Sequence, residues 1–201
     1  RCRYTAAMSK LSPLQTLREA LPRVAALLPA DAGVLALRAL PGLHGDAPKG
    51  WPWQAEQGFK PLRDALLAQG LAVADGVGAT GLPRAGEGAP RLVVVLPPRS
   101  REEGRASLAR AVFDVAPGGL VLGAALNDDG ARSFEKDLAA LAPLAGWVTK
   151  AHGRAFWTQP KPAVLPEASQ ALAECWLAAD LPRRDATSGL WTRPGVFNEG
   201  R

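Results

Sequence analysis

A chain of 201 residues fits one globular domain with an appendage and is long enough to bury a sizeable core. With 47% hydrophobic and 21% charged residues the composition is globular, which excludes disorder as the ground state. The formal charge is +5 and arginine outnumbers lysine, a balance that favours bidentate contact with phosphate, although an arginine-rich background gives the same numbers.

No apolar run approaches the length of a membrane span, and residues 1–16 lack an apolar signal-peptide core, so the expected compartment is the cytoplasm with no membrane partner. Cys2 and Cys175 form neither a disulfide framework nor a metal spacing.

Leu14, Leu17, Leu21, Val24 and Leu28 recur at helical intervals, predicting an amphipathic helix from Pro13 interrupted at Pro22. Gly33 to Leu40 reads as a first strand. Pro41 to Gly58 is rich in proline and glycine and carries Trp51 and Trp53, which predicts a long loop. Phe59 to Ala68 reads as a helix, Leu71 to Ala74 as a short strand, and Gly76 to Pro90 as turn formers throughout.

From Arg91 the pattern becomes regular. Arg91 to Leu96 is a continuous apolar run, as in a strand buried on both faces. Ser100 and Glu103 have the spacing of a capping box, opening a helix with Leu108, Val112 and Val115 on one face. After Pro117-Gly118-Gly119, Leu120 to Leu126 is a second buried strand. Asp128-Asp129-Gly130 then turns the chain into a helix with Phe134, Leu138 and Leu141 inward. Trp147 to Thr158 alternates around His152-Gly153, predicting an antiparallel hairpin at the sheet edge. The sum is an α/β fold: a mostly parallel sheet with an antiparallel hairpin at one edge and helices on both faces. Residues 1–165 form the domain, and residues 166–201 a helix with Leu172 and Trp176 followed by a strand-like tail. The apolar groups of that tail need a partner surface.

Gly76-Val77-Gly78-Ala79-Thr80-Gly81 matches a dinucleotide fingerprint, but Leu82-Pro83 follows where a helix should start, so a loop is the better reading. Leu96-Pro97-Pro98-Arg99 stands where base-modifying methyltransferases keep Asn/Asp-Pro-Pro-aromatic. There a side-chain oxygen holds the target amine and a ring stacks on the base, and neither Leu96 nor Arg99 can do that work. His44 and His152 assemble into no triad. The candidate phosphate-binding residues are Arg99, Arg101 and Arg105 at one helix start, and Lys150 and Arg154 at the hairpin; a solvated charged face explains either group equally simply.

Three segments together resemble the bacterial ribosomal RNA guanine-N2 methyltransferases of the small subunit: Leu96 to Arg101, Asn127 to Ser133, and Gly189 to Asn198 with its Pro-Gly-Val-Phe. The resemblance implies a Rossmann-like, methyltransferase-type sheet in the first, degenerate copy of a tandem pair. It places S-adenosylmethionine and the chemistry in a second, catalytic domain, the partner of this one in the parent chain, with ribosomal RNA as the shared substrate. On that reading the segment has no catalytic residue and no cofactor of its own. The alternative is an autonomous small-molecule or nucleotide-binding α/β protein using the Gly76 to Gly81 loop.

Overall fold

The computed structural model describes residues 12–46, 48, 50–74, 88–184, 186 and 189–193. Helix α1 (Pro13–Ala25) opens on Ser12, whose Oγ accepts from the Leu14 N–H at 3.3 Å, with Pro13 at the position where a missing N–H costs nothing. Pro22 does not interrupt it. Only the last turn lies beyond that residue, and the Pro22 carbonyl still accepts from Ala26 at 3.2 Å.

The strands are β1 (Val34–Leu37), β2 (Trp53–Glu56), β3 (Ala72–Ala74), β4 (Leu92–Val95), β5 (Leu120–Leu126), β6 (Leu144–Lys150) and β7 (Gly153–Thr158). They form one sheet in the order β3-β2-β1-β4-β5-β7-β6, parallel from β3 to β5, with β7 antiparallel to both β5 and β6. The expected architecture is therefore present, with two corrections. The loop predicted from Pro41 to Gly58 contains β2, because Trp53 to Glu56 pairs with both β1 and β3. The edge hairpin begins at Leu144 rather than Trp147, with an irregularity between Leu144 and Gly146 that the alternation does not reveal.

Side chains alternate across the sheet and build two cores. On one face Val34, Ala36, Leu92, Val94, Leu122 and Trp157 pack beneath α1 and Leu66 of α2 (Lys60–Ala68). On the other, Leu35, Val93, Val121 and Phe156 pack beneath α3 (Arg101–Asp114), α4 (Ala131–Leu141) and α5 (Glu167–Ala179). Helix α1 lies against β5, β6 and β7, strands made last in the chain order. The Thr16 hydroxyl donates to the Lys150 carbonyl at 2.8 Å and fixes α1 over the hairpin. Helix α5 packs on α3 and α4, with Ala173 buried and Leu172, Trp176 and Leu177 against the second core. Beyond it a two-residue ladder pairs β8 (Arg183–Arg184) with β9 (Trp191–Thr192), leaving Leu181, Leu190 and Trp191 exposed.

The capping box expected at α3 does not form. Ser100 is the N-cap residue, but its side chain makes no capping bond, and Glu103 points away to Arg38.

Candidate functional site

The chain connects β1 to β2 and β3 on one side, and β4 to β5 and the hairpin on the other, so the sheet changes direction between β1 and β4. In open α/β sheets the crevice beyond the carboxyl ends of the strands at such a point is the ligand site. Here the chain leaves β1 through Arg38 at φ 57°, a left-handed conformation uncommon outside glycine. That bend carries the guanidinium across to Glu103 in the first turn of α3, an ion pair spanning the ends of β1 and β4.

The end of β2 is closed in the same way. Glu56 is buried, and its two oxygens take Arg110 of α3 in a fork, Nη1 at 2.7 Å and Nη2 at 2.6 Å, while Arg110 Nε reaches Asp114 at 3.1 Å. Burial pulls the Arg110 guanidinium downward, but the bond to Glu56 outweighs it and the net shift is upward. Gln57 ties the two strand ends together, donating to the Ala39 carbonyl and accepting from the Phe59 N–H, each at 2.9 Å. The tail approaches the same region. Arg193 bonds the Asp180 carboxylate at 2.5 Å, which holds its guanidinium above the usual range, with smaller help from Glu103 and Glu56.

A second hollow, about 400 Å³, opens beyond β4 and β5 and is lined by Arg99, Arg101, Asp128, Asp129, Ser133 and Phe134. Pro97 and Pro98 end β4, Leu96 is buried in the first core, and Arg99 points outward to Asp129 at 2.7 Å. The arginines predicted to meet phosphate are thus gathered in space, but each already holds a carboxylate. Arg101 and Arg105 share the buried Asp137 of α4, at 3.3 and 2.9 Å, and Arg105 also lies 5.0 Å above the Trp176 ring. The bond to Asp137 raises the Arg105 pKa. Arg99 and Arg101 remain the more open of the three, with 87% and 58% of their side chains exposed.

At the hairpin, Arg154 is held by both oxygens of Glu135 of α4, at 2.5 and 2.7 Å, and lies 3.9 Å from the centre of the Trp147 ring. Lys150 is exposed and makes no side-chain bond among the described residues. His152 sits in the turn with φ 59°, exposed, and His44 lies in a short 3₁₀ turn; they do not meet a common partner. The Gly76 to Gly81 motif falls outside the described residues. No group of acidic, histidine or cysteine side chains among the described residues could hold a metal ion. No described helix is long and apolar enough to cross a membrane.

Sequence reasoning missed Arg38, Glu56, Arg110, Asp137 and Trp147. Glu56 was hidden inside an apparent loop, and the spacing of 65 residues between Arg38 and Glu103 leaves no local signal.

No family model and no curated protein matches the chain. Solved structures do. The 16S rRNA N2 G1207 methyltransferase RsmC of T. thermophilus, determined in complex with AdoMet and guanosine, aligns over 94% of this chain and 48% of its own, with a TM-score of 0.61 and 21% identity. The fold is that of the S-adenosylmethionine-dependent methyltransferases. The ribosomal protein L11 methylase of Lactobacillus delbrueckii subsp. bulgaricus matches over 73% of this chain and 79% of its own (TM-score 0.54, 13% identity). The N-methyltransferase NodS of Bradyrhizobium japonicum matches over 75% and 98% (TM-score 0.55, 14% identity). At these identities the likeness concerns the fold. The chain spans about half the length of the RsmC chain.

Proposed function

We propose that this methyltransferase fold is a non-catalytic one: a supporting domain for an S-adenosylmethionine-dependent methyltransferase acting on guanine N2 of ribosomal RNA, with residues 166–201 leading to the catalytic domain. The observation that carries the reading is the closed crevice between β1 and β4. S-adenosylmethionine does not suit the residues there. Arg38 and Glu103 bridge the space a ligand needs, and Glu56, the carboxylate at the end of β2 that could take ribose hydroxyls, is spent on Arg110. No helix N-terminus follows β1 to receive a charged group, only the three-residue turn His44–Asp46. Leu96 and Arg99 offer neither an acceptor for a target amine nor a ring for a base. RsmC supports the target class, since it acts on ribosomal RNA and is about twice as long as this chain.

In this role the domain holds RNA through phosphates, with Arg99, Arg101 and Lys150 as open cations and with Arg105 and Arg154 held by Asp137 and Glu135 as their neighbours. Titration calorimetry of the chain with S-adenosylmethionine tests the first half of the reading. No binding heat up to millimolar cofactor is expected, and micromolar affinity lost in Glu56→Gln overturns it. The hollow at Arg99, Asp128 and Phe134 is the one feature favouring a small-ligand protein instead. Saturable binding of a nucleotide, abolished by Arg99→Ala and Arg101→Ala, supports that second reading.

A further inference from the structure

Trp147 lies on β6, the edge strand of the sheet, and 54% of it is exposed, an unusual position for the largest apolar side chain. Register explains how it is held. Trp147 stands opposite Phe156 and Thr149 opposite Arg154, so the ring and the Arg154 side chain share the face of the sheet that α4 covers. The guanidinium lies 3.9 Å from the ring centre, and Glu135 grips it with both oxygens from α4. The indole is therefore backed by a cation that is itself fixed, leaving its remaining surface to solvent.

The surroundings distinguish this ring from an apolar docking patch. Its neighbours on the same face of β6 are Ala145 and Thr149, small and exposed, and the other exposed large apolar residues, such as Leu181, Leu190 and Trp191, lie on other elements. Cations are what surround it. Arg132, one helical turn before Glu135, Lys136 beside it, and Lys150 at the end of β6 are all exposed and make no ion pair among the described residues. An isolated, rigid aromatic among unpaired cations is the pattern of a base-stacking platform in a groove that follows a phosphate backbone.

The geometry points to Trp147 as a stacking platform for a base of single-stranded RNA, with Lys150, Arg132 and Lys136 taking the flanking phosphates. The assignment rests on the RNA reading above and adds a base contact that none of the residues considered there supplies. A cation behind the ring also strengthens stacking on an electron-rich base edge without adding sequence selectivity.

Fluorescence anisotropy of the full chain with a labelled twelve-nucleotide single-stranded RNA, and with an abasic ribose-phosphate oligomer of equal length, tests it. Trp147→Ala should weaken RNA binding by roughly 5- to 150-fold, the range of base–aromatic stacking, with Trp147→Phe keeping most of the affinity. Because the ring carries no charge, the slope of log affinity against log salt should stay the same, and binding of the abasic oligomer should not change. Lys150→Ala should weaken both oligomers alike. Equal RNA affinity in wild type and Trp147→Ala, with circular dichroism confirming the fold, overturns the platform and leaves the RNA reading standing. Absence of RNA binding in the wild type removes both, and a protein captured only by the intact tryptophan would assign the ring to a protein interface instead.

Discussion

Lys161 shows how a single residue closes a helix and links stability to pH. Its ammonium donates to the Phe113 and Val115 carbonyls at 2.9 and 2.7 Å, satisfying orphan acceptors at the end of α3. Burial lowers its pKa from 10.5, and the nearby Asp114 only partly opposes that. The unfolded chain therefore binds more protons between the depressed folded value and 10.5. The contribution of this group is complete above 10.5 and is lost as pH falls through the folded value, so urea midpoints measured upward toward pH 10 should rise more in wild type than in Lys161→Met. Two glycines make a sharper steric test. A Cβ on Gly104 would meet Phe134 Cζ at 2.7 Å, and one on Gly123 would meet Phe156 Cε2 at 2.5 Å, both ring atoms in the second core. Gly123→Ala should cost about 1–3 kcal/mol of unfolding free energy by overpacking. Gly104→Ala should cost less, because alanine recovers up to about 1 kcal/mol of helix propensity. Asp137 is the polar counterpart. Its loss strands two guanidiniums, and Asp137→Ala should destabilise by about 1–3 kcal/mol in chemical denaturation, toward the lower end because Arg101 is largely solvated.

At the scale of elements, the second half of the chain was the more legible. The runs Arg91 to Leu96 and Leu120 to Leu126 are buried on both faces, and apolar continuity is a signal that survives in one sequence. Strand β2 was not legible, since Trp53-Gln54-Ala55-Glu56 is short and owes its form to pairing with β1 and β3. The site was legible only as clusters of charge. Which carboxylate each arginine meets depends on how α3 and α4 pack, and Asp137 lies 36 residues from Arg101. The capping box failed for a related reason, because Glu103 had a distant guanidinium to answer. The tail carries its own test. Arg183 and Arg184 are exposed on a ladder of two residue pairs, so trypsin should cut there early. The trimmed domain should stay folded, since α5 keeps its contacts with α3 and α4, while losing the Arg193–Asp180 bond. For a domain of this size a thermal midpoint lower by about 2–4 °C per kcal/mol lost is the expected trace. Resistance of the same sites in a monomer would mean that the ladder belongs to the core.

For the whole molecule, the charge pattern is one of neutralised arginines around a few open cations, which sets the expected strength of RNA binding. Removing Arg99 and Lys150 together should shift the salt slope by about 1.4 units for a single strand, two contacts at about 0.7 each, and an unchanged slope would return both to plain solvation. Synthesis raises a different demand. The surface that receives α1 is made of β5, β6 and β7, and the last of these ends at Thr158, well over a hundred residues after Ala25. At roughly 5–20 residues per second the ribosome needs on the order of ten seconds to supply it. Through that interval Leu14, Leu17, Leu21 and Val24 have no native place to go, so the nascent chain is a client for a holdase until the final hairpin emerges and the helix can settle over it.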